Sequence, residues 1–256
     1  MTATRLGAVP VERVWGRRDI PAGFPKLGDD VPVGEIWFEA APEAPLLVKY
    51  LFTAERLSIQ VHPDDAAAQA RGFPRGKDEA WYILDAEPDA RIGLGLTRRV
   101  SREALRAAAL DGSIEQLLDW RPVRPGELLY SPAGTIHAIG GGISLIEIQQ
   151  NLDLTYRLYD YGRPRELHLD DGIAVADPGP WTPPFVPDRE LLHAGGAFRV
   201  ERWQRGGTLQ GPAVVVPLTA AGRIDGERLA TGAVWSVEGA AEIEGGGIDL
   251  LAAFPA

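Results

Sequence analysis

Thirty glycines and twenty-one prolines are spread through this 256-residue chain, and that spread limits its fold more than any other feature. Gly and Pro terminate regular elements and make turns, so a chain interrupted this often suits many short strands rather than a helical bundle. Between the breaks, β-branched and aromatic residues gather at 32–40, 46–53, 56–61, 80–84, 90–94, 128–130 and 143–150. The pattern changes over 101–120, where SREALRAAAL and SIEQLLDW predict two short helices, with Ser113 and Gln116 at capping-box spacing. Segment 177–188, DPGPWTPPFVPD, holds five prolines and sustains no regular element. The expectation is an all-β protein with a first unit over 1–176, a linker over 177–189 and a smaller unit over 190–256. Strand signals in the smaller unit fall at 198–203, 213–218, 223–224, 233–237 and 248–254.

A net charge of −10 without any run of Lys or Arg argues against a nucleic-acid partner, which needs a contiguous basic surface. An anionic small molecule remains compatible if a few basic side chains are concentrated in a pocket. The chain has no cysteine, which removes disulfides, thiolate nucleophiles and Cys-ligated zinc together. Residues 1–10 lack the basic flank and long apolar core of a signal peptide, and no later stretch is long enough to span a bilayer. The expected location is the cytoplasm.

Three segments carry chemistry. In Ser58-Ile59-Gln60-Val61-His62, strand alternation puts Ser58, Gln60 and His62 on one face and Ile59 and Val61 on the other. A buried polar row of this kind needs partners, and a bound cation with ordered waters would supply them; taken alone, the row also fits a solvated face. In Gly76-Lys77-Asp78-Glu79-Ala80-Trp81, an extended backbone puts Lys77, Glu79 and Trp81 on one face. Such a Lys–Glu neighbour pair is commonly a surface ion pair, but Trp81, Ile83 and Leu84 favour burial here. The spacing from Gly126 through Pro132 and Gly134 to His137 resembles the second sequence motif of the cupin superfamily, in which a Pro-Gly turn delivers a metal-binding His. His62, Glu79 and His137 make a set that suits zinc, ferrous iron or manganese, and Gln60 could add a neutral oxygen. The strand 143–150 places Glu147 and Gln149 on one face and then passes into a polar loop containing Arg157 and Arg163. Asp64 and Asp65 are expected to shape a turn, and His168 and His193 to be surface or loop residues.

Taken together, VERVWGRRDI, LLVKYLFTAERLSIQVHPDD, GKDEAWYIL, PAGTIHAI and IEIQQNLDLTYRLYDYGRP resemble the type I phosphomannose isomerases, also called class I mannose-6-phosphate isomerases, in their compact bacterial form. The resemblance follows family order over the first two-thirds of the chain. It implies tandem cupin-type β-barrels (jelly rolls) and interconversion of mannose 6-phosphate and fructose 6-phosphate through an enediol. It also implies one zinc ion per chain at Gln60, His62, Glu79 and His137. Arg157 and Lys77 are implied as catalytic or substrate-orienting groups, with Glu147 a candidate base. Ser58 and Arg163 match positions associated with the substrate phosphate, although the family often has Lys where Arg163 stands. The C-terminal unit has no His beyond His193 and is expected to be a metal-free barrel. Two rival readings are another metallocupin enzyme, such as a ferrous dioxygenase, and a sugar-binding cupin without turnover.

Overall fold

The computed structural model describes residues 2–256. Its strands form four sheets in two pairs. In the first pair a six-stranded sheet runs in the order Ala8–Arg17, Val33–Phe38, Leu46–Thr53, Ile143–Gln150, Glu79–Ala86, Leu128–Ser131. It faces a five-stranded sheet in the order Tyr156–Tyr159, Ile59–Val61, His137–Ile139, Arg91–Leu96, Leu118–Pro122. The second pair joins a six-stranded sheet containing Trp235–Val237, Ala213–Pro217, Leu250–Pro255 and Phe198–Trp203 to a four-stranded sheet containing Gly207–Gln210 and Ala240–Glu244.

Strand alternation explains how the pairs pack. In Leu46–Thr53, Leu51 points into the first barrel with Trp81, Ile83, Ile92 and Leu145, whereas Val48, Tyr50 and Phe52 point out of it. Those outward residues meet Val214, Val216, Leu251 and Ala253, while the alternate residues Val215, Leu250 and Ala252 fill the second barrel. The central strands of the two six-stranded sheets are therefore buried on both faces, which is why Leu46–Thr53, Ala213–Pro217 and Leu250–Pro255 read as near-continuous apolar runs. Each large side chain in the layer between the barrels contributes about 1.5–3 kcal/mol by leaving water, so the barrels are held as one body by hydrophobic area. On the far side of the first barrel, the five-stranded sheet is covered by helices Arg102–Asp111 and Leu169–Val175, over Ile59, Val61, Ala138 and Leu158.

Several expectations are corrected. Ala3–Arg5, which the sequence assigned to the first unit, pairs antiparallel with Trp235–Val237 in the second barrel. The Pro-rich segment lacks helix and strand as expected, yet it is strapped along the first barrel by bridges from Asp177 to Thr135 and from Pro180 to Gly95. The insertion holds helices Arg102–Asp111 and Ile114–Leu117, but Leu118–Pro122 is already a strand. Ser113 makes no capping bond, because its backbone is helical (φ −66°, ψ −10°) rather than extended. Ser101 caps instead: from an extended backbone its side chain accepts from the N–H of Ala104 at 3.1 Å. Ala8–Arg17, Asp65–Gln69 and Tyr156–Tyr159 are regular elements that the sequence left unassigned or as loop. No helix among the described residues is long and apolar enough to cross a membrane.

The capping difference gives a direct measurement. Ser101→Ala is expected to cost about 1 kcal/mol of stability, whereas Ser113→Ala should stay within about 0.5 kcal/mol of the parent. Urea unfolding of the two variants checks this, and equal losses would contradict the assignment of the cap.

Candidate metal centre

One end of the first barrel is apolar and the other is lined with charge. Residues Ile59 and Val61 pack outward under the helices, so the alternation turns Ser58, Gln60 and His62 inward as expected. His137 enters from the adjacent strand, directly opposite Gln60 in register. Glu79 begins the strand Glu79–Ala86 and is paired with Gln149 across the sheet. His62, Glu79 and His137 are each no more than 2% exposed, and one donor atom from each lies within 4.8 Å of the others.

Hydrogen bonds fix which imidazole nitrogen faces the centre. His62 Nδ1 lies 2.8 Å from the carbonyl oxygen of Leu154, and His137 Nδ1 lies 2.9 Å from that of Thr135. A carbonyl only accepts, so each Nδ1 carries the proton and each Nε2 presents a lone pair. The two Nε2 atoms converge on the carboxylate of Glu79, at 3.3 Å from Oε1 and 3.4 Å from Oε2. Lys77 Nζ approaches Oε1 at 2.8 Å, yet neither buried oxygen of Glu79 gains a well-directed hydrogen bond. Lys77 also lies 3.4 Å from His62 Nε2, but a carboxylate facing two imidazole lone pairs has more acceptors than donors around it, and burying such a surplus is costly. Two neutral imidazoles, one carboxylate and the Gln60 amide, whose nitrogen is 3.2 Å from His137 Nε2, form a donor set that could hold a divalent cation. Rotating the amide by half a turn would present its oxygen there.

The electrostatics agree with that use. Burial pushes the His137 imidazole down to about 4, against the pull of Glu79, so it is neutral near pH 7. Burial also lowers His62. For Glu79 burial opposes ionisation, but His62 once protonated and Lys77 outweigh it and hold the carboxyl well below its usual range. Burial works against charge on Lys77 as well, and Glu79 with Glu147 overcomes it, leaving the ammonium raised. Glu147 goes the other way: burial, reinforced by the negative charge of Glu79, raises it despite Lys49 and Lys77.

A cavity of about 570 Å³ opens onto this centre. Gln60 and Lys77 line it and touch His137 and Glu79, so they connect the cavity to the buried triad. Ser58, Glu147 and Arg157 line it too. Ser58 donates to Gln60 Oε1 at 3.2 Å, and Glu147 accepts from Trp81 Nε1 at 3.1 Å. Arg157 lies opposite Gln60 in register, donates to the Glu166 carbonyl at 2.7 Å, and keeps a buried Nε without a partner. Arg163 is placed differently from the sequence expectation. It is not among the lining residues; its guanidinium is taken by Asp160 and by the carbonyl of Arg56. Arg165, two residues further on, lines the cavity instead, held at 2.7 Å by Asp160 Oδ1.

Sequence reasoning missed Lys49, which is 3% exposed, lines the cavity, and sits 3.3 Å from Glu147 Oε1 and 4.2 Å above the ring of Trp37. A signal existed: a single lysine inside the apolar run LLVKYLFT is costly to bury without an anionic partner. It also missed Glu35, which receives bonds from Arg13 at 2.8 Å and Trp37 at 2.6 Å on the cavity wall. His193, expected at the surface, is 2% exposed and stacks on Tyr130 with ring centroids 3.6 Å apart. Asp64 does shape the chain locally, capping Asp65–Gln69 through a 2.8 Å bond from Ala67 N–H.

No family model matches the chain. A curated mannose-6-phosphate isomerase of Streptococcus mutans is 37% identical over 179 residues, covering 65% of this chain and 56% of that protein. Mannose-6-phosphate isomerase ManA of Bacillus subtilis is 42% identical over 156 residues, covering 58% and 48%. By sequence the chain thus spans about half the length of the curated relatives it matches. In structure the likeness runs throughout. The crystal structure of mannose 6-phosphate isomerase from Bacillus subtilis superposes with a TM-score of 0.86 at 26% identity, covering 99% of each chain. A putative mannosephosphate isomerase from Archaeoglobus fulgidus shares the fold, with a TM-score of 0.71 at 17% identity over 99% of this chain and 97% of that one. The expected resemblance and the tandem cupin-type architecture stand on these comparisons.

The depressed imidazoles set a pH dependence for metal-stripped protein. An imidazole at about 4 in the fold and at 6.5 when unfolded takes its proton first in the unfolded state. Stability should therefore fall as pH drops from 6.5 towards 4, by on the order of 1 kcal/mol per pH unit for such a group. Urea midpoints of chelator-treated protein across that range check this, and His137→Gln should flatten the slope.

Proposed function

We propose that the chain is a zinc-dependent aldose–ketose isomerase that interconverts mannose 6-phosphate and fructose 6-phosphate through an enediol. The observation that carries this reading is the buried Glu79 carboxylate, met by Lys77 on one oxygen only and set between two imidazoles whose lone pairs face it at the end of a charged cavity. Gln60, His62, Glu79 and His137 would hold one zinc ion per chain. When bound, zinc supplies Lewis-acid polarisation of adjacent carbonyl and hydroxyl oxygens. The similarity to proteins named mannose-6-phosphate isomerase supports the substrate pair.

The side chains divide the work by their electrostatics. Isomerisation moves a proton between neighbouring carbons and puts negative charge on an oxygen. Glu147 serves as the base: its raised pKa brings it closer to neutrality, where a carboxylate accepts a proton more readily. Its two oxygens are aimed by Trp81 and Lys49, which leaves little rotational freedom. Lys77 stays cationic despite burial and offsets charge developing on the sugar oxygens. Lys49 does the same from the strand beside that of Glu147. Arg157 lines the cavity, and of its guanidinium nitrogens only Nη1 is committed, to the Glu166 carbonyl, so it has donor capacity left for substrate. The phosphate end is assigned to Ser58, Arg157 and Arg165, since a planar guanidinium grips phosphate through two parallel bonds. Arg163, which does not line the cavity, drops out of that role.

A coupled assay for fructose 6-phosphate on native, chelator-stripped and zinc-restored protein tests the whole reading; activity is expected to vanish and return. Zinc is expected in material purified without added metal, and iron in its place would overturn the assignment. His137→Ala should lose the metal. Glu147→Gln should keep it while kcat falls by about 10²–10⁴-fold, and Arg157→Ala should likewise lower kcat with metal content unchanged. Full turnover in either of the last two variants removes that residue from the mechanism.

A further inference from the structure

The second barrel carries no metal ligand, but it reaches the metal centre through one carboxylate, that of Asp78. Asp78 sits between Lys77 and Glu79 in sequence and faces away from the cavity. Its Oδ1 accepts from the N–H of Ala133 at 2.8 Å, and its Oδ2 accepts from the hydroxyl of Tyr130 and from the N–H of Ala197 at 3.2 Å. Ala197 belongs to the second barrel, next to the strand Phe198–Trp203. Among the described residues no lysine, arginine or histidine pairs with Asp78, so these neutral donors alone satisfy its charge.

The turn that Asp78 holds is a junction for all three ligand-bearing segments. Gly134 N–H donates to the His62 carbonyl at 2.8 Å, Ala133 N–H donates to Asp78 beside Glu79, and the Thr135 carbonyl accepts from His137 Nδ1. Gly134 has φ +85°, a conformation that lets the turn close this tightly. On the other side, Gly196 has φ +62°, and a Cβ there would lie 2.2 Å from the Tyr130 hydroxyl and 2.7 Å from Asp78 Oδ2. The approach of the second barrel thus depends on the missing side chain of Gly196, and His193 stacked on Tyr130 completes the contact.

We infer that Asp78 is a positioning residue through which the second barrel sets the geometry of the metal centre, so that contacts made by Gly196 and Ala197 govern metal affinity. The inference rests on the metal-site reading above but not on the identity of the substrate. Partners that orient metal ligands typically change affinity by about 10–100-fold when lost. Asp78→Asn is the obvious variant but sets an amide N–H against at least one of the three donors, so other changes are better probes. Tyr130→Phe removes one hydroxyl and keeps the ring stack, and Gly196→Ala changes a residue of the second barrel alone, whose added Cβ presses on Tyr130 and Asp78. Val215→Ala serves as a control, trimming the core of the second barrel away from this contact.

The zinc dissociation constant of each full-length protein, measured by competition with a chromophoric chelator, reads the effect, with thermal melts confirming that each is folded. Tyr130→Phe and Gly196→Ala are expected to bind zinc about 10-fold more weakly, and Val215→Ala to bind as the parent does while melting lower. Parent-like affinity in both probe variants overturns the inference while leaving the metal site intact, and so does an equal loss in the control. A parent protein that takes up no zinc overturns the metal-site reading and this inference with it.

Discussion

An ionised carboxylate inside a β-barrel is the interaction on which the rest of this structure depends. Glu79 is 1% exposed, and removing such a charge from water is tolerable only where opposite charge compensates it. Lys77 offers part of that compensation, and the two imidazoles are arranged to offer none, because their protons are committed to the Leu154 and Thr135 carbonyls. The arrangement stores an electrostatic demand that a divalent cation satisfies. The same demand explains the split among neighbouring acids: Glu79 is held ionised by the charges around it, whereas Glu147, deprived of solvent and close to that negative charge, is pushed towards its neutral form. Two carboxyls with opposed shifts, one lining the cavity and one buried behind Lys77, are suited to different roles.

The hydrophobic architecture makes this polar end affordable in structural terms. The layer between the six-stranded sheets buries Phe38, Tyr50, Phe52, Phe198 and Val216 on faces that point away from both barrel interiors. Stability is thereby concentrated outside the cavity, and the inside of the first barrel can carry charge along one end. The second barrel consequently does more than fill space. It covers the face opposite the cavity and, through Asp78, meets the turn that leads to His137.

Much of the site was legible because strand alternation is a local rule. Ser58, Gln60 and His62 face inward, Ile59 and Val61 outward, and Lys77 and Glu79 come together as their spacing required. Where no local period operates, sequence reasoning failed. Arg163 and Arg165 lie in an irregular loop, and which of them lines the cavity follows from how Asp160 gathers both guanidiniums. Ser113 has capping-box spacing, but the turn after Gly112 leaves its backbone helical and its hydroxyl out of reach. Lys49 went unnoticed because the apolar run around it reads equally well with the lysine at the rim of a sheet as with it inside a barrel.

By itself the sequence determined the all-β class, the inserted helices, the polar face of each ligand strand, and the identity of the three side chains able to hold a metal. These depend on turn-forming residues and on a two-residue period, both of which act over a few neighbours. Only the tertiary structure decided that Lys49 stands opposite Glu147, that Arg157 stands opposite Gln60, that Ala3–Arg5 completes the distant barrel, and that Ala197 reaches Asp78. Such pairings are set by register between strands far apart in the chain. No local pattern encodes that register; it emerges when whole sheets bury their apolar faces together.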